Sequence, residues 1–359
     1  MMKKYTLLII ANTLLPIFCL ILNGCNKTKE ASQIIIYADI ASFPKQEMLL
    51  NKIEMDSFLM APRRIWTHDS ILILYDKGYI DDGFLRFYTN TGKFIAKFGL
   101  VGNGPNEYIN PTFTKIKDTF IVLAVNEKYT EIPLKEIKSD DNLSIENKTI
   151  LKDKLFYMSN YFFPINDTLI IANTTAEHQY YIYNNKLNLL RQINNYPDEH
   201  NKNVSDFCLN TAVYDAFYNI KPTKEQLVVA YKYYPVIDIV DVINFNTKRI
   251  KFRNQHVNTY HIENPLNVKF ENPYLQYTFS YCTDRYFYLL YQNSTIEDFK
   301  QNKNKSEIHI FDWNGNLAKI YRVDKLVYAF AVSENDASLY ALGLDNNLAP
   351  IVLSGEFSE

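Results

Sequence analysis

One short pattern returns six times along this chain: a polar turn, usually with an aspartate in it, leads directly into an apolar strand of four to seven residues. The turns are His68-Asp69-Ser70, Lys117-Asp118-Thr119, Asn166-Asp167-Thr168, Thr223-Lys224-Glu225-Gln226, Thr283-Asp284-Arg285 and Asn335-Asp336-Ala337-Ser338. The strands after them open at positions 71, 120, 169, 227, 286 and 339, in steps of 49, 49, 58, 59 and 53. A repeat of roughly 40–50 residues is what a four-stranded propeller blade needs, and the longer steps leave room for loop insertions. A second hairpin lies downstream in several units, across Asn90-Thr91-Gly92, Asn184-Asn185-Lys186, Asn246-Thr247-Lys248 and Asn314-Gly315-Asn316. Turns of this chemistry join paired strands. Two hairpins make one four-stranded sheet, so the fold class expected is all-β, a six-bladed β-propeller. The second unit is the weakest, because residues 129–150 alternate poorly and residues 138–141 read as a solvated charged loop.

The last unit stops one strand short, and a spare strand, Gln33–Ala38, stands at the other end of the chain. This N-terminal strand is expected to complete the sixth blade, since an open ring would leave an unpaired sheet edge. Composition agrees with the repeat: 359 residues, 47% of them hydrophobic, can bury a large core without disulfide or metal. The 28 Tyr and 23 Phe favour pleated strands over helices. A net charge of −2 with no basic run excludes a nucleic-acid backbone as partner.

The first residues read as an address. Lys3 and Lys4 precede an apolar stretch, residues 7–22, interrupted by Pro16 and too short for a comfortable membrane span. It ends in Leu22-Asn23-Gly24-Cys25, which resembles the lipobox of bacterial lipoproteins. That resemblance implies a cleaved signal peptide over residues 1–24, lipid attachment at Cys25, and membrane anchoring in the cell envelope. Asn26 in the following position points to the outer membrane. An ordinary secretory signal or an N-terminal membrane helix is the alternative. Residues 25–32 then form a tether and residues 33–359 the propeller. Cys208 and Cys282 carry no spacing signal and are expected as unpaired thiols in strands, although an oxidising compartment leaves a bridge open.

Four stretches carry a wider likeness: KFGLVGNGPNEY at residues 97–108, FFPIND at 162–167, TDRYFYLLY at 283–291 and IHIFDWNG at 308–315. On these the chain resembles the TolB-like six-bladed propeller lipoproteins, over nearly everything after the signal. The resemblance implies a propeller lipoprotein of the envelope and brings no catalytic residues with it.

The glycines of residues 99–108 suggest an anion loop, yet the segment lacks the Lys-Ser/Thr of a P-loop and precedes no helix. It reads instead as an inter-blade connection, with Gly102 and Gly104 at positive φ, Pro105 fixing the exit and Glu107 accepting backbone N–H bonds. Gly102, Gly104, Pro105, Glu107 and Tyr108 remain loop candidates for binding, and Trp66, Tyr233 and Tyr234 are the aromatic candidates. No histidine pair has metal-ligand spacing, neither Asp81-Asp82-Gly83 nor Asp140-Asp141-Asn142 has that of a calcium loop, and no G-x-S-x-G elbow occurs. No catalytic residue, metal or cofactor is therefore assigned. The function expected is a non-catalytic binding or scaffolding module that engages a protein, peptide or glycan at one mouth of the ring. The alternative is a channel-centred, metal-dependent hydrolase or lyase, which requires at least three carboxylate or imidazole groups to converge there.

Overall fold

The computed structural model describes residues 33–125, 128–137, 148–149, 161–166, 168–172, 178–184, 186, 188–197, 213–253, 255–264, 267–301 and 305–358. The readings made on residues 1–32, on residues 138–142, on Asp167 and on Cys208 lie outside these.

Each repeat becomes one antiparallel sheet. Blade one consists of Pro62–His68, Ile71–Asp76, Leu85–Thr89 and Phe94–Phe98, in that order from the centre outward. Blade two is Thr112–Ile116, Thr119–Ala124, Lys128–Pro133 and the two-residue Lys148–Thr149, which matches its weak sequence pattern. Blade three is Tyr161–Ile165, Thr168–Ala172, Tyr180–Asn184 and Leu189–Ile193. Blade four is Ala216–Ile220, Gln226–Tyr231, Val236–Asp241 and Thr247–Phe252. Blade five is Tyr274–Cys282, Tyr286–Thr295, Glu307–Asp312 and Leu317–Val323, and blade six is Val327–Val332, Ser338–Leu344 and Pro350–Glu356 with one strand borrowed from the N-terminal side. The first strand of blade six packs beside the first strands of blades five and one, which closes the ring.

The middle strands are apolar on both faces because both faces are covered by neighbouring blades. Thr119–Ala124 and Gln226–Tyr231 are buried at every position after the first. Their continuous apolar runs, unlike the alternation of a half-exposed strand, follow from that sandwiching. The core accordingly spans blade boundaries: Ile65, Leu72, Leu290, Phe330 and Leu353 form one cluster across blades five, six and one. Phe84, Phe113 and Phe120 join blades one and two in another, and Val228, Phe252, Phe287 and Phe311 join blades four and five.

The borrowed strand corrects the sequence reading. Asn51–Ile53, antiparallel to Pro350–Glu356, completes blade six. Gln33–Ala38 instead lies parallel to Thr247–Phe252 as a fifth strand on blade four, and Lys45–Met48 lies parallel to Leu317–Val323 on blade five. The chain thus begins as a strap over the outer edges of three successive blades. Closure comes from the N-terminal side as expected, but through a different strand. The physical reason is that an outermost strand is held mainly by backbone bonds, so its apolar content is a poor guide to its partner.

The hairpin turns hold as read except in blade four, where Thr247 and Lys248 already belong to the strand and the turn lies at residues 242–246, held by Asp241. Asp312 Oδ1 accepts the N–H groups of Asn314 and Asn316, and Gly315 takes φ +94°. Asn184 and Asp241 cap the corresponding turns of blades three and four in the same way. The polar insertion of residues 293–306 contains a short helix, α1 (Ile296–Lys300), whose cap Thr295 accepts the Asp298 N–H at 3.1 Å.

Candidate functional site

Strand polarity decides what surrounds each mouth of the ring. The first strand of every blade is innermost and ends at the recurring polar turn, so all six of those turns lie around one mouth. Loops between second and third strands, and connections from blade to blade, lie on the opposite face. The turns are tight: Asp69, Lys117, Asn166, Lys224 and Asp336 take φ of 49°, 50°, 46°, 65° and 60°. The left-handed backbone is what Asp and Asn tolerate best after glycine, and Asp69, Asn166 and Asp336 hold that position in three of these turns, with Lys117 and Lys224 in the other two.

At this mouth side chains from blades one, two and six meet. His68 Nδ1 lies 3.0 Å from Glu334 Oε1, which also accepts from Lys115 Nζ at 2.9 Å. Asp118 Oδ2 pairs with Lys135 Nζ at 2.5 Å, and its Oδ1 lies 3.9 Å from His68 Nε2. Burial would raise the Glu334 carboxyl, but the bonds from Lys115 and His68 outweigh it and hold that carboxyl below its ordinary range. Lys135 does the same for Asp118. Beside this group is a cavity of about 310 Å³ whose walls include Lys115, Lys117, Asp118, Cys282, Asp284 and Glu334. Deeper in, the channel narrows to spaces of about 50 and 30 Å³ among Arg64, Trp66, Tyr161, Tyr218 and Tyr281. An aromatic floor therefore closes the mouth, and a ligand would rest on it rather than pass through.

Cys282 forms no disulfide among the described residues and is half-buried, and burial pushes its thiol up, which favours the protonated form. Among the described residues no serine, threonine or cysteine is hydrogen-bonded to His68. His68, Asp69 and Glu334 nevertheless each offer a ligand atom within 4.8 Å of the others. Sequence reasoning missed this group because Glu334 is far in the chain from His68 and Asp69. The available signal was the recurring turn itself, whose residues must meet wherever a propeller gathers its first strands.

The candidates named from sequence fall elsewhere. Leu100–Val101 and Glu107–Tyr108 form a small parallel pair in the connection from blade one to blade two, on the far face. There Glu107 Oε2 accepts the Gly104 N–H at 2.7 Å and Lys128 Nζ donates to the carbonyls of Gly104 and Glu107; Gly102 takes φ +152°, but Gly104 does not take the positive φ expected of it, since its N–H is turned to the Glu107 carboxylate instead. Tyr108 is fully buried, 2.9 Å from Thr130 Oγ1, and Pro105 lies within the same connection. Trp66 lies inside the channel, edge-on to Phe113 and Phe120 at 5.7 and 4.8 Å. Tyr233 and Tyr234 sit in the loop between the second and third strands of blade four, also on the far face, against Phe270 and Tyr214. The fold brings the loop candidates together and separates them from all three aromatic ones.

No described helix is long and apolar enough to cross a membrane. No curated protein matches the sequence. Among solved structures, the chain is similar to a protein described as a candidate exported protein of Bacteroides fragilis NCTC 9343, at 10% identity and a TM-score of 0.58, covering 91% of this chain and 100% of that one. A member of the DUF4221 family from Bacteroides vulgatus ATCC 8482 is similar at 8% identity and a TM-score of 0.52, covering 88% of this chain and 97% of that one. The family model for TolB-like six-blade propellers matches residues 42–335. With its blades, its closure and this match in agreement, the chain belongs to the TolB-like six-bladed propeller family.

Proposed function

We propose that this protein is an envelope-anchored binding module that engages a charged segment of a protein, peptide or glycan at the mouth formed by the recurring turns. The observation that carries this is the 310 Å³ cavity, open to solvent, walled by lysines and carboxylates from several blades and closed beneath by aromatic side chains. Such a recess holds a ligand by converging polar groups on a rigid scaffold. The anchor is the lipid on Cys25, supported by the lipobox-like Leu22-Asn23-Gly24-Cys25 and by likeness to a protein described as a candidate exported one. The deciding experiment screens the purified protein against peptide and glycan arrays and envelope extracts, then repeats the hits with Lys117→Glu and Asp284→Lys. Retained ligands should lose binding in both variants; ligands indifferent to both would place recognition elsewhere.

A second reading, a metal-dependent hydrolase or lyase, is favoured by the convergence of His68, Asp69 and Glu334. Turnover of chromogenic esters, phosphoesters or glycosides by zinc-supplemented protein, abolished by His68→Gln, would replace the binding reading with this one.

A further inference from the structure

His68 is 2% exposed, and its two ring nitrogens meet different surroundings. Nδ1 faces Glu334 Oε1 at 3.0 Å; an ionised carboxylate can only accept, so Nδ1 is the donor in that bond and Nε2 is the nitrogen left for another partner. Nε2 has no hydrogen-bond partner. What it faces are two more carboxylates, Asp69 Oδ2 at 3.8 Å and Asp118 Oδ1 at 3.9 Å. A buried ring nitrogen without a hydrogen-bond partner, with two carboxylate oxygens just beyond hydrogen-bond distance, is an unsatisfied polar group that a cation placed among the three would satisfy.

We propose that His68 Nε2, Asp69 and Asp118 bind a divalent first-row transition ion of the zinc type. Glu334, on the far side of the ring, fixes the tautomer that leaves Nε2 free to coordinate, the arrangement that carboxylates behind metal-bound histidines adopt. Metal bonds of about 2.0–2.2 Å to nitrogen and oxygen put tetrahedral ligand atoms about 3.4 Å apart, so each of the two gaps to Nε2 needs to close by roughly half an ångström and the two carboxylates need to turn toward each other. Asp69 and Asp118 stand on exposed turns with room for that shift, their side chains 74% and 48% accessible. Lys135 holds the other oxygen of Asp118, which leaves Oδ1 turned toward the histidine. An imidazole beside two carboxylates suits zinc and its neighbours better than calcium or magnesium, which prefer oxygen alone. Asp118 and Glu334 also wall the 310 Å³ cavity, so the ion's remaining coordination position would face the ligand recess. The inference holds whether or not the mouth catalyses anything.

The test is titration calorimetry of chelator-stripped protein with Zn²⁺, with Ca²⁺ and Mg²⁺ in parallel. One Zn²⁺ should bind per chain, more tightly than either of the others, and Co²⁺ in its place should give the visible absorption of a low-coordinate site. Glu334→Gln should weaken Zn²⁺ by about 10–100-fold, the usual effect of removing a group behind a ligand, and His68→Gln by at least as much. Asp69→Asn keeps a side chain suited to the φ of 49°, so it decides the matter even if His68→Gln fails to fold. Zn²⁺ affinity unchanged by Asp69→Asn, no stoichiometric Zn²⁺ uptake, or tighter Ca²⁺ binding indifferent to His68 would each overturn the proposal.

Discussion

Replacing Arg249 by leucine should be among the most damaging single changes in the propeller. The guanidinium is 2% exposed and makes five hydrogen bonds: Nε and Nη2 to the two oxygens of Asp238, both at 2.7 Å, Nη1 to the carbonyls of Tyr196 and Pro197 at 3.0 Å each, and Nη2 to that of Asn195 at 2.9 Å. It therefore ties an outer strand of blade four to the connection from blade three. Removing it strands a carboxylate that is 1% exposed, and breaking a buried pair in this way costs about 3–5 kcal/mol. The three carbonyls, each deprived of a charged donor, push the loss toward the upper end at about 1 kcal/mol apiece. Against a total stability of about 5–15 kcal/mol, that is a large fraction. At about 1.5 °C per kcal/mol for a domain of this length, the melting temperature should fall by roughly 5–8 °C. Urea unfolding followed by intrinsic fluorescence gives the free energy, and the double variant Arg249→Leu with Asp238→Asn supplies the control. Asn keeps an acceptor for the Tyr231 hydroxyl, now 3.1 Å from Asp238 Oδ2, and removes the stranded charge, so the double should recover about 2 kcal/mol over the single. A loss under about 1.5 kcal/mol, or a double variant no better than the single, would refute the claim that the unpaired charge is what destabilises.

Acid should weaken the fold in two stages. Burial holds the His309 imidazole below its ordinary value of 6.5, so in the folded state it stays neutral while the unfolded chain takes up a proton. Burial would raise Glu307, but bonds from His309 and Lys45 overcome this and hold its carboxyl at about 2 instead of 4.5. Both groups have folded values below their unfolded ones, so their contributions are present above 6.5 and 4.5 respectively and fade as pH falls through and below those values. Urea midpoints measured from pH 7 to pH 3 should show the decline, and Glu307→Gln should flatten its part below pH 4.5. Gly102→Ala should cost about 1–3 kcal/mol, since Gly102 sits at φ +152° and a Cβ there would collide with Glu107 Oε2; thermal melting checks it. Cys25→Ala should move the protein from the membrane fraction to the soluble one, and retention after a salt wash would count against lipid anchoring.

The blades were legible because two local rules coincide in most repeats: a turn that tolerates left-handed backbone, then a strand buried on both faces. Blade six shows this in Asp336, at φ 60°, followed by Ser338–Leu344. The closing strand was not legible. Gln33–Ala38, QIIIYA, is long and apolar, whereas Asn51–Ile53 is three residues with one buried side chain, so hydrophobicity pointed to the wrong one. Ile34, Ile35 and Tyr37 in fact remain exposed, at 56%, 44% and 60%. The group at the mouth was hidden for another reason. His68 and Glu334 are 266 positions apart, and local spacing carries no information about residues that only ring closure brings together. The repeated Asp was read as turn chemistry, which it is. That six such turns must also share one rim follows from topology alone.

The strap at the start of the chain has a mechanical consequence. A pull on the N-terminus reaches Gln33–Ala38 on blade four first, Lys45–Met48 on blade five next, and only then Asn51–Ile53, whose release would open the ring. The first two are supernumerary strands on blades that already have four of their own. Peeling both would free roughly 50 Å of extended chain ahead of the ring while leaving every blade complete. The order of attachment makes the outer strands sacrificial extensions, and places the one junction on which the circle depends last in the line of force.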